Sequence, residues 1–576
     1  MINGIGASPG IAIGKSFVLP NWEWEMTDQK IDVADLAREF DRLYEGIRTS
    51  KFEIEQMKDE LREVVGPAET TIFDAHLAIL DDPAFMNEIQ GMIQRQYKAA
   101  EVAVKEAIDH FVAMFDLLDD EYMKERALDI KDVGNRLLKH LLGAPEITLP
   151  SDTQPFILVA KELSPSQLAH LNPQHVLGIV TLSGSTTSHS AIMARALGIP
   201  LVVGLDIDEM DDDPFQTGEM LVIDGSEGIV IIDPSEDEVK HYSELQKQER
   251  EDLQRLRSFA DVQPVTPDGK KLELAANISS MKELEVALSS GAHGVGLFRT
   301  EFLYMDRQRF PREDEQFDVY RSVAERLDGK PLIIRTLDVG GDKHLDYFDL
   351  PEEDNPFLGY RAIRISLDRT DLFKTQLRAI VRASHYGQVK IMYPLISSVE
   401  EVRAANQLLR EVMQELKAEG VPFDEGLQTG IMIELPAAVQ IADLLAEEVD
   451  FFSIGTNDLV QFTLAVDRMN EQISYMYDPF HPAILRMLRM TVEAAKGKGI
   501  KVGVCGEMAS DLCALPIWLA LDVDELSMSG HAILELKERL LRTCQQESQE
   551  LFAELLRCRT SVDIHDKLKA YDASIQ

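Results

Sequence analysis

Arginines and carboxylates close several apolar runs in the second half of the chain. Arg299 ends GVGLFR, Arg335 lies in PLIIRTL, and Glu434 lies in TGIMIEL. Guanidinium groups match phosphate and carboxylate oxygens in bidentate geometry. Arg299 and Arg335 therefore favour a small, doubly anionic substrate. Arg468, in GTNDLVQFTLAVDR, adds a candidate third cation.

Two of these carboxylates are candidate metal ligands. Glu434 ends one run, and Asp458 follows Asn457 at the end of FFSIGTN. Two carboxylates with substrate oxygens and water are the usual environment of Mg²⁺. A magnesium-assisted phosphoryl reaction fits this set. The alternative is that the arginines and carboxylates only pair with one another and stabilise the fold.

Cys505 stands at the end of the apolar run KVGVCGE. Cysteine in such a run is often a small buried hydrophobic residue. Its position at a strand end, between Gly503 and Gly506, is equally compatible with a thiol that transfers a proton to or from a ligand. The residues alone leave both interpretations open.

A second candidate site lies in the run TLSGSTTSHSAIMARALGIP, which contains His189. Small hydroxyl residues at a helix start offer backbone N–H groups to an anion. Histidine can accept a phosphoryl group at neutral pH. A metal site lacks a nearby second ligand, and a serine hydrolase is disfavoured because Ser188 and Ser190 directly flank the histidine. A histidine that only begins a helix remains the alternative.

Eight short apolar runs, each followed by an amphipathic stretch, fill residues 263–576. Eight such units in about 300 residues predict a closed parallel (β/α)8 barrel, whose chemistry lies at the carboxyl ends of its strands. The runs are LELAANI, GVGLFR, PLIIRTL, VKIMYPL, TGIMIEL, FFSIGTN, KVGVCGE and ELSMS. Three further polar residues also lie near the ends of these predicted strands, namely Asn277, Asp338 and Glu507.

The first half of the chain divides differently. Residues 22–142 show helical spacing of apolar residues, as in Phe73, His76, Leu77 and Leu80, whereas residues 143–233 contain short apolar runs separated by turns. The strand-like residues 1–21 are expected to join the second group. The sequence thus predicts a multidomain α/β protein, with a helical bundle inserted into a discontinuous α/β domain. A charged helix over residues 234–262 is predicted to bridge to the barrel.

The chain has 576 residues and a formal net charge of −42. Such acidity repels phosphate backbones and anionic bilayers, so nucleic acid and membranes are not expected partners. The sequence has four cysteines and neither a signal peptide pattern nor an apolar run long enough to span a membrane. A cytoplasmic protein is expected.

Several runs together resemble one family over essentially the whole chain. They are ASPGIAIGK, TTSHSAIMARALGIP, GVGLFRTEFLYM, RTLDVGGDK, NPFLGYRAIR, IMIELPAA, DFFSIGTNDLVQFTLAVDR and VCGEMA. These runs resemble those of enzyme I of the phosphoenolpyruvate-dependent sugar phosphotransferase system, also called phosphoenolpyruvate–protein phosphotransferase. They occur in the same order as in that family.

The resemblance implies a role for each candidate residue. His189 is implied as the phosphorylated histidine of the discontinuous domain, and Cys505 as the acid that protonates enolpyruvate to pyruvate. Phosphoenolpyruvate is implied to bind Arg299, Arg335, Asn457, Asp458 and Arg468. Glu434 and Asp458 are implied to hold Mg²⁺.

The resemblance also implies partners. The helical insert is expected to bind the histidine phosphocarrier protein (HPr), with His76, Asp74, Asp81 and Asp82 on the candidate surface. Family members dimerise through the barrel. One departure is that the loop Gly184–His189 lacks the second glycine and the basic residue that the family usually has.

Two other classes remain open from the sequence. A pyruvate-forming dikinase or synthase would use ATP or another nucleotide, but no region has the length or motif of a nucleotide-binding domain. A non-catalytic protein that only binds phosphoenolpyruvate would keep the arginines and release no pyruvate.

Overall fold

The structure is a computed structural model. It describes most of the chain, and for a few of these residues, His189 among them, only the backbone. The described residues are 1–20, 30–64, 70, 72–116, 121–143, 155–169, 171–172, 175–186, 188–205, 214–305, 307–341, 343, 345, 347–348, 350–351, 353–470 and 472–575. The chain divides into two compact units, Met1–Glu251 and Asp252–Gln576.

The first unit contains an eight-stranded mixed sheet. Its strands are β1 (Ile2–Asn3), β2 (Ile5–Ser8), β3 (Ile11–Val18), β4 (Phe156–Ala160), β5 (Val176–Thr181), β6 (Leu201–Val203), β7 (Met220–Asp224) and β8 (Ile229–Ile232). Their order is β1-β8-β7-β3-β4-β5-β6-β2. Strand β3 pairs in parallel with β4, with Lys15 opposite Phe156. Residues far apart in the chain therefore share one sheet, which confirms the discontinuous α/β domain.

Five helices lie between β3 and β4 in the chain. They are α1 (Leu36–Val64), α2 (Ile72–Asp81), α3 (Pro83–Gln96), α4 (Ala100–Asp116) and α5 (Glu121–Leu142). Their apolar spacing produces a common core in which Leu43, Phe73, Ile89 and Leu137 are fully buried. This is the predicted helical insert.

Three further helices complete this part of the chain, namely α6 (Pro165–Ala169), α7 (His189–Leu197) and α8 (Glu236–Arg257). Helix α8 begins with three acidic residues and ends with Arg255 and Arg257, which complements the helix dipole. It occupies most of the predicted bridging segment. The division between the two units falls inside this helix, and the domain boundaries themselves stay a prediction.

The second unit is a closed, all-parallel barrel of eight strands, as predicted. Its strands are β9 (Glu273–Ile278), β10 (Val295–Arg299), β11 (Pro331–Arg335), β12 (Gln388–Tyr393), β13 (Gln428–Ile433), β14 (Phe451–Ile454), β15 (Lys501–Val504) and β16 (Glu525–Met528). Each of the eight predicted runs forms one strand. The fold class is confirmed.

Thirteen helices of this unit surround or extend the barrel within the described residues. They are α9 (Met281–Ser289), α10 (Glu313–Arg326), α11 (Ile363–Asp368), α12 (Thr370–Ala383), α13 (Val399–Glu419), α14 (Pro436–Gln440), α15 (Ala442–Leu445), α16 (Thr456–Leu464), α17 (Pro482–Lys498), α18 (Leu515–Leu521), α19 (Ile533–Leu540), α20 (Gln545–Leu555) and α21 (Ser561–Ile575).

Alternate residues of the barrel strands face opposite sides. Leu332, Ile334 and Ile391 belong to the outer core between strands and helices. Ile333 and Met392 belong to a separate apolar cluster that also contains Leu297, Met432, Phe451 and Cys505. Cys505, which follows β15, thus connects this apolar cluster to the polar groups at the carboxyl ends of the strands.

Within the described part of the chain, every helix is too short or too polar to cross a lipid bilayer.

Candidate active site

The carboxyl ends of the barrel strands bring most of the predicted residues together. Arg299 and Arg335 end neighbouring strands and stand opposite each other in register. Glu434 directly follows β13, Asp458 lies in the first turn of α16, and Cys505 directly follows β15. The barrel topology therefore positions these side chains at one rim.

Arg335 lies in a buried network of charges. Its Nη2 donates to Glu301 Oε1 at 2.6 Å, and its Nη1 lies 3.1 Å from Asp338 Oδ2. Lys343 Nζ bridges the same two carboxylates at 2.9 and 3.0 Å. Burial alone would raise the pKa of Glu301 and Asp338, but Arg335 and Lys343 hold the pKa of both below their ordinary values. Both acids therefore stay ionised at neutral pH.

Arg361 joins this network to the predicted metal ligand. Its Nε donates to Asp338 Oδ1 at 3.1 Å, and its Nη2 donates to Asp458 Oδ2 at 2.8 Å. The next residue, Ala362, has a φ of +54°, which is a strained conformation for a residue other than glycine. Sequence reasoning did not single out Arg361, because it lies in a long loop rather than at a strand end. Its only signal was its place in NPFLGYRAIR.

The pKa of Glu434 is shifted in the opposite direction to that of Glu301 and Asp338. Burial, together with the nearby charges of Asp458 and Asp338, raises its pKa to about 7. Its Oε1 accepts a hydrogen bond from the backbone N–H of Leu395 at 2.5 Å, and Leu395 has a φ of +55°. The buried carboxylates are thus close enough to repel each other.

This repulsion is the feature that a divalent cation would relieve. Two hard carboxylates fit Mg²⁺ when substrate and water supply the other oxygens. Among the residues that the structure describes, no group of three or more histidine, cysteine, aspartate or glutamate side chains could by itself hold a metal ion. A metal at Glu434 and Asp458 would therefore need further oxygen ligands from substrate or water.

Several buried polar atoms of the rim have no hydrogen-bond partner within the described residues. They are Arg335 Nε, Arg361 Nη1 and Arg468 Nη1, together with Glu301 Oε2, Thr336 Oγ1 and Thr456 Oγ1. Buried donors without partners are costly unless a ligand or water binds them. Three of these six atoms belong to guanidinium groups, which are suited to binding an anion.

Asn457 and Arg468 lie at the same rim. Asn457 exchanges two hydrogen bonds with Glu507, donating from Nδ2 to Oε1 at 3.0 Å and accepting at Oδ1 from the backbone N–H at 2.9 Å. The backbone N–H of Arg468 donates to Gln461 Oε1 at 3.3 Å. Tyr477, whose hydroxyl donates to the carbonyl of Asn457 at 3.2 Å, also contacts the Arg468 side chain. These contacts fix the loop after α16.

Cys505 is buried at the boundary between the apolar layer and the charged rim. Burial raises the pKa of its thiol to about 11. The group is therefore protonated at neutral pH, which suits a proton donor better than a nucleophile. The thiol is buried among apolar residues, as the first interpretation expects, and it also lies near the charges of Arg335 and Glu434. Its role in proton transfer stays a prediction.

His189 is the first residue of α7. Ser188 caps this helix, because its Oγ accepts from the N–H of Ala191 at 3.2 Å. The side chain of His189 lies outside the described residues. Arg195 Nη2 donates to the carbonyl of Thr186 at 2.7 Å, so a cation from α7 stands beside the loop that lacks its own basic residue.

The structure corrects the expectation that His76 lies on a docking surface. His76 is fully buried, with Nε2 3.4 Å from Asp129 Oδ1 and its ring packed against Phe73. The physical reason is the helical spacing, which places it on the apolar stripe of α2. Asp74 and Asp81 remain exposed, whereas Asp82 caps α3 by accepting from Ala84 and Phe85.

Three protein-family models match the chain. Residues 3–126 match the N-terminal domain of PEP-utilising enzymes, residues 153–228 their mobile domain, and residues 253–545 their PEP-binding domain. The last match coincides with the barrel whose rim carries the charge network. These matches define the class as that of the PEP-utilising enzymes.

Similar proteins identify the family to which the chain belongs within this class. A phosphoenolpyruvate-protein phosphotransferase of Priestia megaterium is 45% identical over 570 residues, which is 99% of this chain and 98% of that protein. The Bacillus subtilis phosphotransferase of the same name is also 45% identical, over 98% of each chain. A solution structure of Enzyme I (nEIt) is 35% identical and covers 43% of this chain and all of that one, with a TM-score of 0.36. The chain belongs to the phosphoenolpyruvate-protein phosphotransferase family, and it is a transferase.

Proposed function

We propose that this enzyme transfers the phosphoryl group of phosphoenolpyruvate to His189, releases pyruvate, and passes the phosphoryl group to HPr as the first step of sugar uptake. The observation that carries this proposal is the set of buried guanidinium atoms without partners at the barrel rim. Their number and burial suit a substrate with a phosphate and a carboxylate.

Five residues are assigned to the substrate. Arg299, Arg335 and Arg468 would bind its anionic groups, and Asn457 would bind from the first turn of α16. Asp458 is assigned both to substrate and to the metal. Arg361 also belongs in this set, because it connects Asp338 to Asp458 and has a free buried Nη1 within the described residues.

Glu434 and Asp458 would hold Mg²⁺. The support is the raised pKa of Glu434, which arises from burial and from Asp458. When bound, the ion would neutralise charge on the phosphoryl group. Arg361 would then exchange part of its contact with Asp458 for contact with substrate.

Two side chains would carry out the chemistry. A ring nitrogen of His189 attacks phosphorus as the bond from phosphorus to the enol oxygen breaks. Cys505 then gives its proton to the methylene carbon of enolpyruvate, and the enol oxygen becomes the carbonyl oxygen of pyruvate. The raised thiol pKa of about 11 supports this role because the proton is present at neutral pH.

The partner, assembly and location are proposed in the same way. HPr would dock on the helical insert near the exposed Asp74 and Asp81 of α2. The enzyme would form a homodimer through the barrel and act in the cytoplasm. All four cysteines are free thiols, which agrees with a reducing compartment.

Transfer of label to a carrier tests the proposal. The enzyme is incubated with Mg²⁺, phosphoenolpyruvate labelled in its phosphate, and purified HPr. We expect labelled HPr and stoichiometric pyruvate without any nucleotide. Label that reaches HPr only when ATP is added would favour a dikinase, and binding of phosphoenolpyruvate without pyruvate release would favour a non-catalytic protein.

A further inference from the structure

Cys505 stands where a strand ladder stops. Its N–H donates to the carbonyl of Ile454 in β14 at 3.0 Å. On its other side, β15 pairs with β16 only at Gly503 and Val504, so β16 offers no ladder partner to the Cys505 carbonyl. That carbonyl instead accepts a hydrogen bond from Asn277 Nδ2 at 3.0 Å. A side chain thus replaces the missing ladder bond.

Asn277 reaches this carbonyl from two strands away. It belongs to β9, which is separated from β15 by β16. Ser527 of the intervening strand is 1% exposed and donates its Oγ to Asn277 Oδ1 at 2.7 Å. The Cys505 carbonyl can only accept, so the Nδ2 donor of the amide must face it, and the Ser527 hydroxyl holds the amide in this orientation by donating to Oδ1.

These bonds determine where the thiol can lie. The N–H and the carbonyl belong to the two peptide groups that flank the Cα of Cys505. When both groups are held, the direction of the Cα–Cβ bond is fixed and only rotation about χ1 remains. The next residue, Gly506, packs closely against Thr456, because a Cβ there would collide with Thr456 Oγ1.

We propose that Asn277, oriented by Ser527, is a positioning residue that holds the Cys505 thiol at one face of the enol. This inference rests on the proposed function, in which that thiol is the acid. In the step, the S–H bond breaks and a C–H bond forms at C3 from the electrons of the C2–C3 double bond. The enol oxygen becomes a carbonyl, and the thiolate regains a proton from water.

Proton transfer to carbon depends strongly on alignment. A displacement of about 1 Å can lower a rate by roughly 10²-fold. Loss of the Asn277 amide frees the peptide after Cys505 while the arginines and carboxylates keep their contacts. The expected defect is therefore in protonation and not in substrate binding.

The chain contains a matched control for this variant. Asn406 accepts from the Tyr393 hydroxyl at 3.2 Å and donates from Nδ2 to the carbonyl of Glu448 at 3.2 Å. This arrangement repeats that of Ser527, Asn277 and the Cys505 carbonyl, and neither Asn406 nor Glu448 is among the rim residues. Asn406→Ala thus removes the same kind of bonds and leaves the candidate active site intact.

The experiment follows the stereochemistry of protonation. Phosphoenolpyruvate tritiated at one C3 position reacts in ²H₂O with the full-length enzyme, Mg²⁺ and HPr, and the pyruvate is trapped at once by reduction. The resulting methyl group carries three hydrogen isotopes, so its configuration reports the face of proton delivery. We expect one configuration from the wild type and from Asn406→Ala.

Asn277→Ala is expected to give a nearly racemic methyl group. Its kcat is expected to fall about 10-fold or more, with the KM for phosphoenolpyruvate within about two-fold of wild type. Ser527→Ala keeps the amide but frees its orientation, and it should lose part of the stereochemical excess. If Asn277→Ala does not fold, Ser527→Ala alone tests the inference.

Two results would overturn the inference. One is a wild-type configuration and rate in both Asn277→Ala and Ser527→Ala, which would leave the amide without a positioning role. The other is a racemic product from the wild type, or an unchanged product from Cys505→Ala, which would remove the thiol as the acid. Label on His189, measured in the same samples, separates these results from a failure of phosphoryl transfer itself.

Discussion

Arg299 and Arg335 end neighbouring strands but have different surroundings. Arg335 is buried between Glu301 and Asp338, whereas Arg299 is exposed and forms no hydrogen bond or ion pair with the described residues. We expect Arg299→Ala to lower the rate of phosphoryl transfer by about 10²-fold or more without changing stability. Arg335→Ala should also destabilise the barrel by about 3–5 kcal/mol, because two buried carboxylates lose a partner.

Quench-flow labelling measures the rates, and thermal unfolding measures the stability. Arg403→Ala serves as the control, since it removes an exposed arginine that pairs with Glu448 outside the rim. Arg299→Ala with a wild-type rate would remove Arg299 from the substrate site.

Most of the rim residues that could be predicted stand at or near strand ends. Glu434 and Cys505 were found because each directly follows an apolar run. Glu301 and Arg361 were not found, because they lie in a short turn and in a long loop whose path depends on tertiary contacts. The pairing of Asp458 with Arg361 is equally invisible in the sequence, since it joins residues 97 positions apart.

Glu525 is the first residue of strand β16, at the end of the barrel opposite the rim. Burial and the nearby Glu273 raise its pKa to about 7 from an ordinary value of 4.5. The folded state thus favours the protonated acid, and stability declines as pH rises from about 4.5 through 7. We expect Glu525→Gln to increase the free energy of unfolding by roughly 1–2 kcal/mol at pH 8 and to change it little at pH 4.

Urea unfolding of the barrel, followed by the fluorescence of buried Trp518 in a Trp22→Phe, Trp24→Phe background, measures this change. Glu400→Gln removes an exposed carboxylate and is the control. Equal effects of Glu525→Gln at both pH values would contradict the assignment.

The barrel strands were predictable because both faces of a parallel strand are buried, which yields continuous apolar runs bounded by turns. Helix α2 shows the limit of this approach. Its spacing correctly placed His76 with Phe73 and Leu80 on the apolar stripe, while the resemblance placed it on a docking surface. Burial excludes the second placement, because a side chain in the helical core cannot contact a partner.

At the scale of the whole molecule, the charge of −42 must be reconciled with an anionic substrate. The arginines concentrated at the barrel rim meet this need locally. The remaining acidity can attract a carrier with a basic face. We expect the association rate with HPr to fall steeply with ionic strength.

Neutralising Asp74 and Asp81 together, as Asp74→Asn and Asp81→Asn, should lower the association rate at low salt and flatten its salt dependence. Stopped-flow binding measures both. The double change Asp443→Asn and Glu493→Gln removes the same charge from the barrel and should have a smaller effect. A salt-independent rate in the wild type would mean that the acidity does not guide the carrier.

The proposed reaction involves both compact units, because His189 belongs to the first and the barrel rim to the second. The most direct test is incubation with Mg²⁺ and phosphoenolpyruvate labelled in its phosphate. The wild type and His241→Ala, which changes an exposed histidine of α8, should acquire acid-labile, base-stable label, whereas His189→Ala should acquire none. Label that survives in His189→Ala would contradict the assignment of His189 as the phosphoryl acceptor.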